Sequence, residues 1–228
     1  WSNHTYSHPF LGCIQVQPTE VGQTWRCGTE ADLEAEDIPF ENPEYIADGD
    51  YEVSDGILWY SQDAIEQEIG RNVTWGLDRN LPNFDPFALV TGEHSGLLTT
   101  PQQPVDNPYF SLALASQGIT LTASDASRER DPRPVGSSGA LTVPRYPMNI
   151  FYNVATYREE VDEYNWIYTT RANGGSGICE DNPETSTCIT PLPNANDTEA
   201  EASFLNYIVP IEVRNAYRPI VTNDPRPF

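Results

Sequence analysis

From Ser61 onward, apolar residues recur at Ile65, Ile69, Val73 and Leu77. A four-residue spacing predicts a helix with one buried stripe, and Ser61 is a good N-cap for it. Phe87-Ala88-Leu89-Val90 then forms a short apolar run closed by Thr91-Gly92, the pattern of a buried strand delivering a loop. Asn107-Pro108 supplies an N-cap and a first-turn proline for a second helix through Ala115, and Gly118 is placed to end it. Ile119 to Ala123 reads as the next strand. Asp131 to Gly139 is a loop rich in Pro, Gly and Ser, and Val143 to Val154 contains a strand-like Ile150-Phe151-Tyr152 run. Thr156 and Glu159 form a capping box that opens a helix to about Tyr168, and Thr198-Glu199-Ala200-Glu201 reads as a second box. The helix after it meets Pro210, which should kink or divide it before Arg214-Asn215-Ala216-Tyr217. Alternating helix and strand argues for parallel βα units, hence an α/β fold in one domain spanning residues 1–228. Leu11 to Gly56 departs from this pattern. It is acidic, rich in Pro and Gly and without clear period, and predicts a loop excursion rather than a core element.

Composition narrows the function. Of 228 residues 38% are hydrophobic, with five Trp, eight Phe and twelve Tyr, enough to bury a sizeable core. A formal charge of −22 repels phosphates and anionic lipid surfaces, which argues against nucleic acid and membrane partners. All twelve basic residues are Arg, so these residues offer no Schiff-base or phosphate-loop lysine. No apolar run approaches the length of a membrane span, and the first residues do not read as a signal peptide, as expected of a mature or excised chain. Four cysteines allow three connectivities. Their spacing lacks the C-x-x-C form of zinc sites, and local bridges Cys13–Cys27 and Cys179–Cys188 are the natural pairing. Disulfides imply an oxidising, extracellular or cell-surface setting. Three N-x-[ST] sequons, at Asn3, Asn72 and Asn196, point the same way; Asn72 and Asn196 are the glycosylation candidates.

Chemistry concentrates in the first eight residues. His4 and His8 stand four apart in Asn3-His4-Thr5-Tyr6-Ser7-His8-Pro9, and two neutral imidazoles so spaced can direct their nitrogens at one zinc ion. The plain alternative is two histidines in a polar loop. The six residues H-T-Y-S-H-P match the H-[ST]-x-x-H-P metal motif of the NodB-type polysaccharide deacetylases, and the chain resembles that superfamily. Further segments, in the same order, resemble its branch of secreted galactosaminogalactan and Pel-related deacetylases. They are Leu89-Val90-Thr91-Gly92-Glu93-His94-Ser95-Gly96-Leu97; Gly118-Ile119 with Ser124-Asp125-Ala126-Ser127-Arg128; and Val143-Pro144-Arg145-Tyr146-Pro147 with Asn149-Ile150-Phe151-Tyr152-Asn153.

The resemblance implies a distorted (β/α) barrel of the polysaccharide deacetylase type, with zinc or a similar divalent metal held by two histidines and an aspartate, and a second aspartate as base. His4 and His8 match the histidine ligands. The family's aspartates precede that motif, where only Trp1-Ser2-Asn3 stand here. Asn223 to Phe228 resembles the approach to the family's last catalytic strand. The resemblance thus implies an incomplete barrel, an internal portion of a longer enzyme lacking its first and last catalytic strands. The implied activity is N-deacetylation of an extracellular N-acetylated amino-sugar polymer containing galactosamine. His94, in a Gly-flanked loop, is either a proton donor or substrate contact, or a surface histidine in a turn. Asp125 and Arg128 either orient a catalytic base or form an ordinary surface ion pair. Arg145, flanked by prolines, suits a fixed side chain in a substrate groove, and Tyr146 suits stacking on sugar. Tyr152 and Trp166 have the same chemistry, although core burial is the commoner fate of such rings. Two other readings stand beside this one. The first is a non-catalytic secreted glycan-binding or matrix-structural protein on the same scaffold. The second is an unrelated disulfide-bonded domain, which would hold His4 and His8 apart.

Overall fold

In the computed structural model, β1 (Ser2–His4) starts a sheet whose other strands come much later in the chain: β6 (Asp85–Val90), β7 (Leu121–Asp125) and β8 (Leu141–Arg145). Their spatial order is β1-β6-β7-β8. β1 and β6 run parallel with His4 opposite Val90, and β6 and β7 run parallel with Leu89 opposite Thr122. With helices between them, these strands make a mixed α/β fold. The structure describes residues 1–20, 24–100, 102–126, 128–146, 148–151, 154–181, 183 and 186–222. Ser127, Pro147, Tyr152, Asn153 and Asn223–Phe228 therefore lie outside the described residues. The chain divides into two units: Trp1–Ser124 with Asp131–Val143, and Asp125–Arg130 with the chain from Pro144 onward.

In the first unit α2 (Gln62–Asp78) begins where expected, Ser61 Oγ accepting the Ala64 N–H at 3.2 Å. Ile65 and Ile69 are fully buried, but the stripe fades along the helix, Val73 packing only partly and Leu77 being exposed. α3 (Pro108–Ser116) is capped by Asn107, whose Oδ1 accepts the Tyr109 N–H at 2.9 Å. The core between these helices and the sheet holds Leu58, Ile65, Ile69, Leu89, Phe110 and Leu114. Each such side chain contributes roughly 1.5–3 kcal/mol on burial.

The excursion from Leu11 is more ordered than its sequence suggests. It contains β2 (Gln15–Val16) paired antiparallel with β3 (Arg26–Cys27), the short helix α1 (Pro43–Ala47), and the hairpin of β4 (Tyr51–Ser54) and β5 (Ile57–Tyr60). Leu11 and Ile14 belong to the main core. Buried amides fasten this segment. Gln103 Oε1 accepts the Cys13 N–H at 2.9 Å, and Asn107 Nδ2 donates to the carbonyls of Leu11 at 2.8 Å and Tyr60 at 2.9 Å. Both expected disulfides form, Cys13–Cys27 and Cys179–Cys188. The first closes a loop with a sequence separation of 14, for which the chain-entropy model gives about 3 kcal/mol. Replacing both cysteines by serine is expected to lower the unfolding free energy by about that amount in urea titrations.

The predicted strand around Ile150 is corrected to β8, several residues earlier. Ile150 is exposed and Phe151 packs on the second unit's core. β8 escaped notice because its inward residues include Thr142, fully buried with its Oγ1 accepting the Arg133 N–H at 2.9 Å, so no apolar alternation marks it.

The second unit is helical, with α4 (Tyr157–Tyr168), α5 (Ile178–Asp181), α6 (Asp197–Ser203) and α7 (Val209–Val221). The Thr156–Glu159 box opens α4 as expected. In place of the box expected at Thr198 to Glu201, a side-chain cap stands two residues earlier. Asn196 caps α6, accepting the Glu199 N–H at 3.1 Å, while Glu199 Oε2 accepts the Ala195 N–H at 3.1 Å. Pro210 cannot donate to the Asn206 carbonyl, and a π-helical turn, Phe204–Ile208, divides α6 from α7 there. Val161, Tyr164, Ala200 and Ile208 form this unit's core. Trp166, expected in a core, lies on the opposite face of α4 and is exposed.

Two buried carboxylates mark the second unit. Glu212 accepts the Asn149 backbone N–H and Nδ2, both at 3.0 Å, and the Tyr168 hydroxyl donates to Asn149 Oδ1 at 2.7 Å. Glu160 Oε2 accepts the Phe151 N–H at 3.1 Å. Desolvation, reinforced by the charges of Glu212 and Glu163, pushes the Glu160 carboxyl above its usual range, despite the Phe151 N–H. A carboxyl with a raised folded-state pKa binds its proton more tightly folded than unfolded. Its protonation therefore favours the fold at low pH, and this contribution is lost as pH rises through the folded pKa. Glu160→Gln is expected to stabilise the chain at pH 7 and flatten the fall in stability above the ordinary glutamate range, measured by urea unfolding across pH 4–8.

Candidate functional site

His4 ends β1, and β6 beside it delivers the loop Thr91 to Ser95, so both reach the carboxyl ends of parallel strands. Open α/β sheets place their ligands there. The chain then turns back through Thr5, Tyr6 and Ser7 to His8. The His4 and His8 rings lie 5.1 Å apart between centroids with planes inclined by 14°. The two rings are thus stacked neighbours. His4 Nδ1 lies 3.2 Å from the Thr5 carbonyl oxygen. The Thr5 hydroxyl oxygen lies 3.4 Å from the same nitrogen, so Thr5 holds this edge of the ring.

Three devices hold this turn. Glu68, on α2 and almost fully buried, accepts the Ser7 N–H at 2.6 Å and the Ser7 hydroxyl at 2.8 Å. Asn3, fully buried, donates from Nδ2 to the Pro86 carbonyl at 3.3 Å and accepts from Asn72 Nδ2 at 2.7 Å. Gly92 supplies space: a Cβ there would sit 2.8 Å from His8 Nδ1, so the missing side chain is what admits the imidazole. His8 itself has φ 63, a left-handed conformation that a single residue adopts at the cost of strain.

The loop that carries His94 is also strained, with Glu93 at φ 54 and His94 at φ 53. It is pinned to the segment after His8. Ser95 Oγ accepts the Leu11 N–H at 3.0 Å, and Thr91 Oγ1 donates to the Ser95 carbonyl at 2.8 Å. His94 is half-buried in this loop. The His4–His8 turn and the His94 loop are therefore one locally fixed assembly within the first unit.

The remaining catalytic and substrate-binding candidates belong to the second unit. Asp125 ends β7 and pairs with Arg128, Nε to Oδ2 at 3.6 Å, with the Arg128 side chain 40% exposed. Such a pair is worth about 0–1 kcal/mol. Arg145 ends β8, Tyr146 follows it, and both are half-buried. Asn196 is exposed at the start of α6, whereas Asn72 is half-buried with Nδ2 already donating to Asn3.

Glu68 and Ser7 carry no role in the sequence reading, and Asn3 and Gly92 enter it only as a sequon and a strand end. Glu68 did leave a signal there, since it falls three residues after Ile65 on the apolar stripe of its helix, where a lone carboxylate needs a partner. Two imidazoles supply two of the three protein ligands of a catalytic zinc site. Among the described residues no cluster of three or more His, Cys, Asp and Glu side chains is placed to hold a metal ion, so the described residues by themselves do not complete such a site. No protein-family model, curated protein or solved structure matches the chain.

Proposed function

We propose that these residues form part of a metal-dependent N-deacetylase, of the NodB type, that acts on an extracellular N-acetylated amino-sugar polymer containing galactosamine. The observation that carries this reading is the adjacency of His4 and His8 at the carboxyl end of a parallel strand, inside H-T-Y-S-H-P. In this reading the four-stranded sheet is part of a distorted (β/α) barrel. His4 and His8 hold zinc or a similar divalent ion, and the carboxylate ligand and the aspartate base come from sequence beyond these 228 residues. Such an ion supplies Lewis-acid activation of water and of the acetamide carbonyl.

The chain's own residues have the following roles. Glu68 and Gly92 fix the imidazoles in place, one by holding Ser7 and the other by leaving room for His8. The loop held by Ser95 presents His94 toward the departing amine or the substrate. Asp125 with Arg128, and Arg145 with Tyr146, are the substrate-side residues of the second unit. Two disulfides and the absence, among the described residues, of a helix long and apolar enough to cross a membrane accord with a secreted protein.

The test is acetate release from an N-acetylated galactosamine polymer by a longer chain containing these residues. A chelator is expected to stop it and added zinc to restore it. Release that resists the chelator would overturn the metal-dependent reading. No release with polymer binding retained would favour a glycan-binding protein.

A further inference from the structure

Beside the histidine turn lies a groove of about 540 Å³ on the outer face of α2, lined by Tyr6, Gln67, Gly70, Arg71, Thr74, Trp75 and Asp78. We infer that this groove is a saccharide-binding subsite, which seats a pyranose unit of the polymer next to the His4–His8 turn. The ligand's identity rests on the proposed function; the groove's chemistry does not.

Its lining combines two kinds of group. Tyr6 and Trp75 are 47% and 41% exposed, so both rings are open to solvent. Each already carries a guanidinium on one side, Arg71 at 4.1 Å from the Tyr6 centroid and Arg79 at 4.7 Å from the Trp75 centroid. Such exposed cation–π contacts, worth about 0.5–1 kcal/mol, bias the orientation of each ring. The apolar C–H face of a pyranose fits such a ring, while Arg71, Thr74, Gln67 and Asp78 bring donors and acceptors for its hydroxyl and acetamido groups. Gly70 opens the floor: a Cβ there meets only Gln117 Oε1, at 3.7 Å. The volume lies in the range of small-ligand sites.

Position ties the groove to the candidate site. Tyr6 lies between His4 and His8 in the chain, and its neighbour Ser7 is held by Glu68, which adjoins Gln67 of the groove. A polymer lying across Tyr6 would pass the imidazoles within a residue or two of chain.

Binding of N-acetylgalactosamine hexasaccharide to the 228-residue chain, followed by isothermal titration and tryptophan fluorescence, tests the assignment without any turnover. Trp75→Ala is expected to weaken binding about tenfold. Gly70→Leu, which fills the floor at a position with free space, should weaken it comparably, with circular dichroism showing the fold retained. Val213→Ala, exposed on α7, should leave binding within about twofold. Unchanged affinity in both groove variants, or no saturable binding to the parent chain, would overturn the subsite. Acetate release is scored separately in the longer chain. Groove-dependent binding without release would remove the deacetylase reading and leave the subsite standing.

Discussion

His4→Ala or His8→Ala in a longer chain containing these residues is expected to reduce acetate release to background and to strip bound zinc. Removing one ligand from a three-ligand site loses both affinity and geometry, and loss of even the partners that orient ligands commonly costs 10- to 100-fold. Zinc content, measured beside activity, separates these residues from His94. His94→Ala should retain the metal and lose about 100- to 10,000-fold in rate, the usual contribution of a general acid. Metal-replete enzyme with full activity in either His4→Ala or His8→Ala would dismiss the pair as a ligand set. Equal loss of zinc in His94→Ala would instead make that residue a ligand.

How much of this was legible in the sequence depended on whether the determinants were local. α2, α3 and α4 carry their signals within one or two turns, in the caps Ser61, Asn107 and Thr156 and in the spacing of Ile65 and Ile69. Those helices were predicted nearly to their ends. The β4–β5 hairpin was equally local and was overlooked. Asp55-Gly56 sits between alternating residues with φ 53 and 74, the left-handed pair that a two-residue hairpin turn demands. The acidic, Pro- and Gly-rich composition of residues 11–56 masks it. The ordering of Leu11 and Ile14 had no comparable local code, because it depends on amides from Gln103 and Asn107 some 90 residues away. Trp166 shows a different failure. Average burial of its residue type favoured the core, but the helical phase set by Val161 and Tyr164 turned it outward.

The candidate site divides in the same way. The i, i+4 histidines and the strand–loop signature at Val90-Thr91-Gly92 were readable, because spacing and strand ends are written in sequence. What fixes them was not. Glu68 grips Ser7 across 61 positions, and Ser95 meets Leu11 across 84. Gly92 matters through a side chain it lacks, which becomes meaningful only once His8 is seen against it.

Gly96→Ala is expected to destabilise the first unit by about 2–6 kcal/mol, two separate effects adding. Gly96 has φ 92, where an alanine is strained, at about 1–3 kcal/mol for a sparsely populated conformation. Its Cβ would also lie 2.8 Å from the ring of Phe110, which is fully buried in the main core. Overpacking of that kind adds roughly 1–3 kcal/mol. Urea unfolding with an unchanged m-value would report the sum. Gly96→Ala/Phe110→Leu would separate the parts: trimming the ring relieves the clash but not the backbone strain. The two substitutions should therefore cost less together than the sum of each alone, by about 0.5–3 kcal/mol. Strict additivity would mean that the ring yields freely and that φ alone reserves the position for glycine. Because Gly96 follows Ser95, whose hydroxyl holds Leu11, the same substitution should loosen the seat of the His94 loop even where the fold survives. The expected sign is faster amide exchange at Leu11 in Gly96→Ala under conditions where the rest of the core stays protected.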